Sequence, residues 1–178
     1  MEKFEIPWAP VFGNHDYEGR ADKAKLAEIY KASEHCLFKS GPEGMNGMGN
    51  YILNLTRDGK PVYSLFMIDD GQYRIVDGQI TDGGVNENQI EWYKWAVNGI
   101  NETAGYAVPN MAFMHVGVPE YAEFEDGFIM GERKEGSCVA KVNDGFLDTF
   151  VENGGTLMLA GHDHNNNFIT EYKGIRLG

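Results

Sequence analysis

Cysteine is scarce in this sequence, and so is positive charge. The 178 residues hold two cysteines, Cys36 and Cys138, far enough apart that sequence leaves a bridge and two free thiols equally open; two buried free thiols is the reading carried forward. Lysine and arginine number 15 against 27 aspartates and glutamates, a net charge of −12, and a field of that sign repels polyanions. Nucleic acid is thereby set aside as a partner. No stretch approaches the ~20 apolar residues of a membrane span, and the opening MEKFEIPW lacks a basic segment followed by an apolar one. The expectation is a soluble protein with no membrane partner, its compartment open. Repeats, low-complexity tracts and linkers are missing as well, so a single domain over residues 1–178 suffices. What is present is core-forming material, 42% hydrophobic and 12% aromatic residues, in a chain long enough to bury roughly 70% of its unfolded surface.

Strand-like and helix-like stretches alternate, the pattern of an α/β sheet protein. Residues 7–12 read as a short buried strand and 20–33 as a helix. Residues 40–49 form a Gly-rich loop. Residues 50–56 and 61–69 read as a hairpin about Arg57-Asp58-Gly59-Lys60. Residues 86–100 carry Asn86 as N-cap, Gln89 three positions on, and an apolar stripe of Ile90, Tyr93, Val97 and Ile100. A strand over 110–116, a long polar loop over 117–143, a short helix over 144–153, a strand and its exit over 155–164 and a hairpin about Lys173-Gly174 complete the expected order. Trp92 and Trp95 are expected in the core; Asp69-Asp70 also ends an apolar strand and could line the site, but Asp-Asp-Gly is turn chemistry, and the turn is the reading carried forward. Tyr121, Glu135 and Asn143 fall in the long loop, most of which is expected to be solvated.

Three of these strands end alike. PVFGNHD, MAFMHVG and LMLAGHDH each run apolar and then stop on side chains that ligate or transfer protons: Asn14, His15 and Asp16; His115; His162, Asp163 and His164. Functional groups in α/β sheets collect beyond the carboxyl ends of strands, so the three exits are expected to converge. His35, the one histidine elsewhere, reads as a residue at a helix end. Imidazoles with an amide or carboxylate oxygen suit Zn²⁺, Mn²⁺ or Fe, and no cysteine lies nearby to make a thiolate site. An isolated His-x-His is as readily a solvated surface pair; three coincident exits displace that reading. If the chain turns after Gly161, His162 and His164 diverge toward two ions about 3.5–4 Å apart, the spacing of two-metal phosphoryl sites.

Gly13-Asn14-His15-Asp16, a strand ending in His115, and Gly161-His162-Asp163-His164 together resemble the second half of the calcineurin-like metallophosphoesterases, whose motif order is DxH, GDxx(D/Y), GNH(D/E), a lone His and GHxH. PWAPVFGNHDYEG, AFMHVGVPEY, GERKEGSCVAKVNDGF and GHDHNNNF resemble the purple-acid-phosphatase-like branch. The resemblance implies part of a β-sandwich, two mixed sheets flanked by helices. It implies two metal ions, Mn, Fe or Zn, with Asn14, His115 and His162 on one and His164 on the other. His15 would stand beside the leaving group as proton donor or transition-state stabiliser, oriented by Asp16. The implied reaction is hydrolysis of a phosphomonoester, small molecule or phosphoprotein, by a hydroxide activated between the metals; the alternative is a non-catalytic metal-binding or interaction module on the same scaffold. The DxH and GD motifs do not precede GNHD here. The expectation is therefore a truncated domain that holds one ion or none and is inactive alone. Central strands missing from it would leave an unpaired edge beside residues 7–12 and favour a homodimer.

Overall fold

The computed structural model describes residues 1–16, 18–123 and 127–178. Its frame begins with the hairpin read at Arg57–Lys60. β1 (Tyr51–Arg57) and β2 (Lys60–Met67) are antiparallel, and Asp58 and Gly59 turn between them at φ of 52° and 77°, the left-handed pair that matches the twist of the flanking strands. β2 is followed by the small ribbon β3 (Arg74–Val76) and β4 (Gln79–Thr81), then by helix α2 (Glu87–Ala104), β5 (Asn110–Phe113), β6 (Met130–Glu132), α3 (Phe146–Glu152), β7 (Gly155–Leu159), β8 (Asn167–Tyr172) and β9 (Ile175–Leu177); α1 (Lys23–Ala32) precedes them all. Seven strands form one mixed sheet in the order β1-β2-β5-β7-β9-β8-β6, parallel from β2 to β9 and antiparallel at both flanks. β3 and β4 form a separate antiparallel sheet. The α/β class with two sheets and flanking helices is thus present, the second sheet being a two-stranded ribbon.

Alternation along the strands supplies a core on each face. On one side Phe66, Ile68, Ala112 and Met158 meet the α2 stripe and α3; Tyr93 is fully buried, its ring 4.8 Å from Phe66 and 5.4 Å from Phe146, and its hydroxyl donates to Asn110 Oδ1 at 2.9 Å. On the other, Phe12, Ala27, Phe38, Tyr51 and Met67 form a smaller cluster under α1. α2 begins as expected: Gln89 Oε1 accepts from the Asn86 N–H at 2.9 Å. The α1 face differs in phase from the apolar residues of its sequence: Lys23 and Ala27 are buried and Ile29 exposed. Lys23 turns inward because Asp69 receives it, Nζ lying 2.7 and 3.0 Å from the two carboxylate oxygens.

Several expectations are corrected. Residues 7–12 are not a strand; they make one isolated bridge, Trp8 to Cys36, because Pro7 and Pro10 have no N–H to give a ladder. Among the described residues the edges of the main sheet are β1 and β6, and Tyr51 of β1 donates its hydroxyl to Pro10 O at 2.7 Å. Asp69 and Asp70 are not a surface turn but 2% and 1% exposed. β3–β4 is an additional hairpin, turned by Asp77 and Gly78 at φ of 52° and 76°. Trp92 lies against Phe66, whereas Trp95 is 73% exposed. In the loop after β5, Pro119–Glu123 forms a 3₁₀ turn that buries Tyr121, whose hydroxyl donates to Met158 O at 2.8 Å; residues 124–126 of that loop lie outside the described residues. Both cysteines are free, and Cys138 is exposed rather than buried. No helix among the described residues is long and apolar enough to cross a membrane.

Candidate functional site at the strand ends

Three parallel strands end in step. Met67 of β2 pairs with Phe113 of β5, and Phe113 with Leu159 of β7, so Asp69-Asp70, Met114-His115 and Gly161-His162 leave the sheet side by side. Here the ladder gives way to a side chain. Asp70 Oδ1 accepts from the His115 N–H at 2.9 Å, and Oδ2 from the Val116 N–H at 3.1 Å. Burial pushes the Asp70 carboxyl up to about 7, against the opposing pull of those two N–H groups. The GNHD segment lies across this edge on two close glycine contacts. A Cβ on Gly13 would stand 3.0 Å from the His115 ring, and one on Gly71 would stand 2.7 Å from Asn14 N, so both positions need the missing side chain.

The donors come together pairwise. Asn14, 2% exposed, places Oδ1 2.9 Å from His115 Nε2. The His115 and His162 ring centroids are 5.1 Å apart. His162 Nε2 is 3.7 Å from Asp82 Oδ2, and Asp82 Oδ1 accepts from Asn14 Nδ2 at 3.5 Å. His162 reaches inward through a tight turn: its φ is 69° and the Asp163 N–H donates to Gly161 O at 2.8 Å, a γ-turn of the rarer sign. Burial, then the neighbouring His162, holds His115 below the usual imidazole range, which favours the neutral ring that ligates metals.

Not every expected partner joins. The chain does turn after Gly161, and His164 departs to the exposed surface, its N–H donating to Glu135 Oε1 at 2.7 Å; among the described residues its ring makes no hydrogen bond with Asn14, His115 or His162. His15 is on this edge with its side chain 69% exposed, and Nδ1 is 2.7 Å from Glu18 Oε2. The expected Asp16–His15 pairing is absent, because Asp16 Oδ2 closes its own turn by accepting from the Gly13 N–H at 2.6 Å. Glu18 takes the orienting place, held below the usual carboxylate range first by that hydrogen bond with His15. His35 sits in the turn after α1, away from this edge, its N–H donating to Glu2 Oε1 at 3.2 Å.

Sequence reasoning missed Asp82 and Glu18, and weighed Asp70 at its strand end but preferred a turn. Asp82 stands in a polar stretch, Glu18 lies beyond the last motif position of its strand exit, and the glycine after Asp70 favours the turn reading. Among the described residues no three His, Cys, Asp or Glu side chains gather into one metal-holding group. What assembles is a chain of contacts through Asp82, His162 and His115 that the Asn14 amide closes. Ligands on one tetrahedral ion with bonds of about 2.0–2.1 Å are about 3.4 Å apart. The Asn14–His115 contact at 2.9 Å is shorter than that figure. Asn14, His115 and His162 are donors of the types such an ion takes.

A mixed sheet whose parallel strands deliver these groups to one edge, flanked by helices, is consistent with a metallophosphoesterase-like fold. The homologues of the chain are purple acid phosphatase-like. It is 29% identical over 194 residues to "Probable inactive purple acid phosphatase 28" of Arabidopsis thaliana, covering 97% of this chain and 48% of that protein. It is 29% identical over 197 residues to "Probable inactive purple acid phosphatase 14" of the same plant, with the same two shares. To "Phosphatase DCR2" of Saccharomyces cerevisiae it is 31% identical over 179 residues, 92% of this chain and 31% of that protein. The chain thus spans about half the length of the plant relatives it matches and less of the yeast one. No family model matches it.

Proposed function

We propose that the chain carries the metal-binding edge of a phosphoesterase that hydrolyses phosphomonoesters, small molecules or phosphoproteins. The observation that carries this reading is the meeting of Asn14, His115 and His162, residues from distant parts of the sequence, at the ends of parallel strands. A cation held by Asn14, His115 and His162 would supply Lewis acidity toward the phosphoryl group, offset the charge that builds in an in-line displacement, and reverse locally the field of a chain of net charge −12. Glu18 holds His15 by Nδ1, which leaves Nε2 as the ring atom that would serve the leaving oxygen. His164 would hold a second ion together with ligands from DxH and GD motifs, which do not occur before GNHD in these 178 residues.

The plant relatives carry "inactive" in their names, and His164 stands apart from the other donors; both favour a second reading, a metal-binding or interaction module without catalysis. Hydrolysis of 4-nitrophenyl phosphate with added Mn²⁺ separates the two. We expect a chain extended upstream to include DxH and GD to be active, its His115→Ala variant inactive, and the present chain to show little or no turnover. Equal inactivity of the extended chain and its variant would remove the enzyme reading.

A further inference from the structure

We propose that Tyr73 is a positioning residue for His15, which it holds through Glu18. The inference rests on the reading of His15 as the group that serves the leaving oxygen and adds a residue from outside its motifs. The Tyr73 hydroxyl donates to Glu18 Oε1 at 3.2 Å, and the other oxygen, Oε2, lies 2.7 Å from His15 Nδ1. One carboxylate thus joins the two rings, with a hydroxyl on one oxygen and an imidazole on the other. Both hydrogen bonds, that of His15 first, hold Glu18 below the usual carboxylate range and so favour the charged acceptor that such a relay needs.

A third group matters because the pair by itself is weak. The His15 and Glu18 side chains are 69% and 46% exposed, and an ion pair in that setting holds its geometry poorly against water and rotamer freedom. The local turn supplies proximity: the Glu18 N–H donates to His15 O at 3.1 Å, which keeps the two residues on one turn without fixing either side chain. Tyr73 adds a contact from 55 positions away and has only two side-chain torsions to order. Its backbone is anchored on both sides. Two residues before it, Gly71 packs so closely on the GNHD segment that a Cβ there would stand 2.7 Å from Asn14 N. The residue after it, Arg74, opens β3 and pairs with the Asp144 carboxylate. The segment that seats Asn14 therefore also carries the hydroxyl that aims Glu18.

The tautomer of His15 reads the relay without metal or turnover, because which ring nitrogen carries the proton is set by the hydrogen bonds the ring makes. Long-range proton–nitrogen correlation spectra of the isotope-labelled chain, in mildly alkaline buffer where imidazole is neutral, give that tautomer for each histidine, and His15→Gln identifies the His15 signals by their loss. We expect the unmodified chain to show His15 in the Nδ1–H form and Glu18→Ala to lose it. Tyr73→Phe, which keeps the ring and removes only the hydroxyl, should shift His15 toward a mixture of the two forms, with the His35 and His115 signals unchanged. A Tyr73→Phe spectrum with His15 as in the unmodified chain, and Glu18→Ala still altered, would overturn the proposal and leave the Glu18–His15 contact standing. An unmodified chain without the Nδ1–H form would overturn both. A change in Tyr73→Phe that spreads to His35 and His115 would show a loss of fold rather than a relay and overturn the proposal as well. Hydrolysis by the extended chain is measured separately, so failure of the positioning role and failure of the phosphoesterase reading are told apart.

Discussion

Replacing Lys23 by methionine tests the buried charge that joins α1 to the site edge. Lys23 Nζ lies 2.7 Å from Asp69 Oδ1, with the two side chains 9% and 1% exposed. Removing one partner of a buried ion pair costs about 3–5 kcal/mol, because a charge is left desolvated and unpaired. Asp69 keeps one further donor, the Met48 N–H at 2.7 Å, so the lower end, about 3 kcal/mol, is expected. Methionine preserves most of the volume against Phe12, whose ring centre is 5.5 Å from Nζ, which keeps the packing term small. In a chain of this size each kcal/mol moves the melting temperature by about 2–4 °C, so Lys23→Met should fall by roughly 6–12 °C. The double variant Lys23→Met/Asp69→Asn removes both charges while the amide oxygen can still accept from Met48, and should return to within about 1 kcal/mol of the parent. Urea unfolding of the four members of the cycle gives the coupling directly. A single variant that loses less than about 1 kcal/mol, or a double variant that loses the sum of the two singles, refutes the view of a mutually dependent buried pair.

Gly71→Ala should push Asn14 off the β2 exit, since the new Cβ would meet Asn14 N at 2.7 Å; overpacking of this kind costs about 1–3 kcal/mol, so an unchanged urea midpoint would contradict the assigned contact. The raised folded-state pKa of Asp70, about 7 against an ordinary 3.8, means that its protonated form is the one the fold favours. That contribution is complete below about pH 4 and is lost as pH rises through about 7. Asp70→Asn should therefore flatten the decline in urea midpoint over this window relative to the parent, and a variant with the same slope would show that Asp70 does not titrate there.

The hairpins at Asp58-Gly59 and Lys173-Gly174, the α2 stripe and the abrupt polar ends of the apolar runs were legible in the sequence, because turn residues and periodicity act over a few positions. The Asp77-Gly78 turn offered the same signal and passed unread between two very short strands. Residues 7–12 misled in the opposite sense: their apolar content was right for burial, and Phe12 is 2% exposed, but two prolines kept them out of the sheet. At the site, the motifs marked Asn14, His115 and His162 through their positions after apolar runs. Nothing local marked Glu18 as the partner of His15 or assigned Asp16 to the Gly13 N–H, since a carboxylate finds whichever donor the folded turn presents.

What the sequence determined by itself is the set of groups that can ligate or transfer protons and the strand ends on which they sit, because side-chain chemistry and hydrophobic period are properties of neighbouring residues. The tertiary structure alone decided which of them meet. Strand register aligns Met67, Phe113 and Leu159, Asp70 ties the exits together, and a ribbon between β2 and α2 brings Asp82 to Asn14 across 68 positions. Such contacts depend on how distant segments stack in space, and no pattern of adjacent residues encodes that distance.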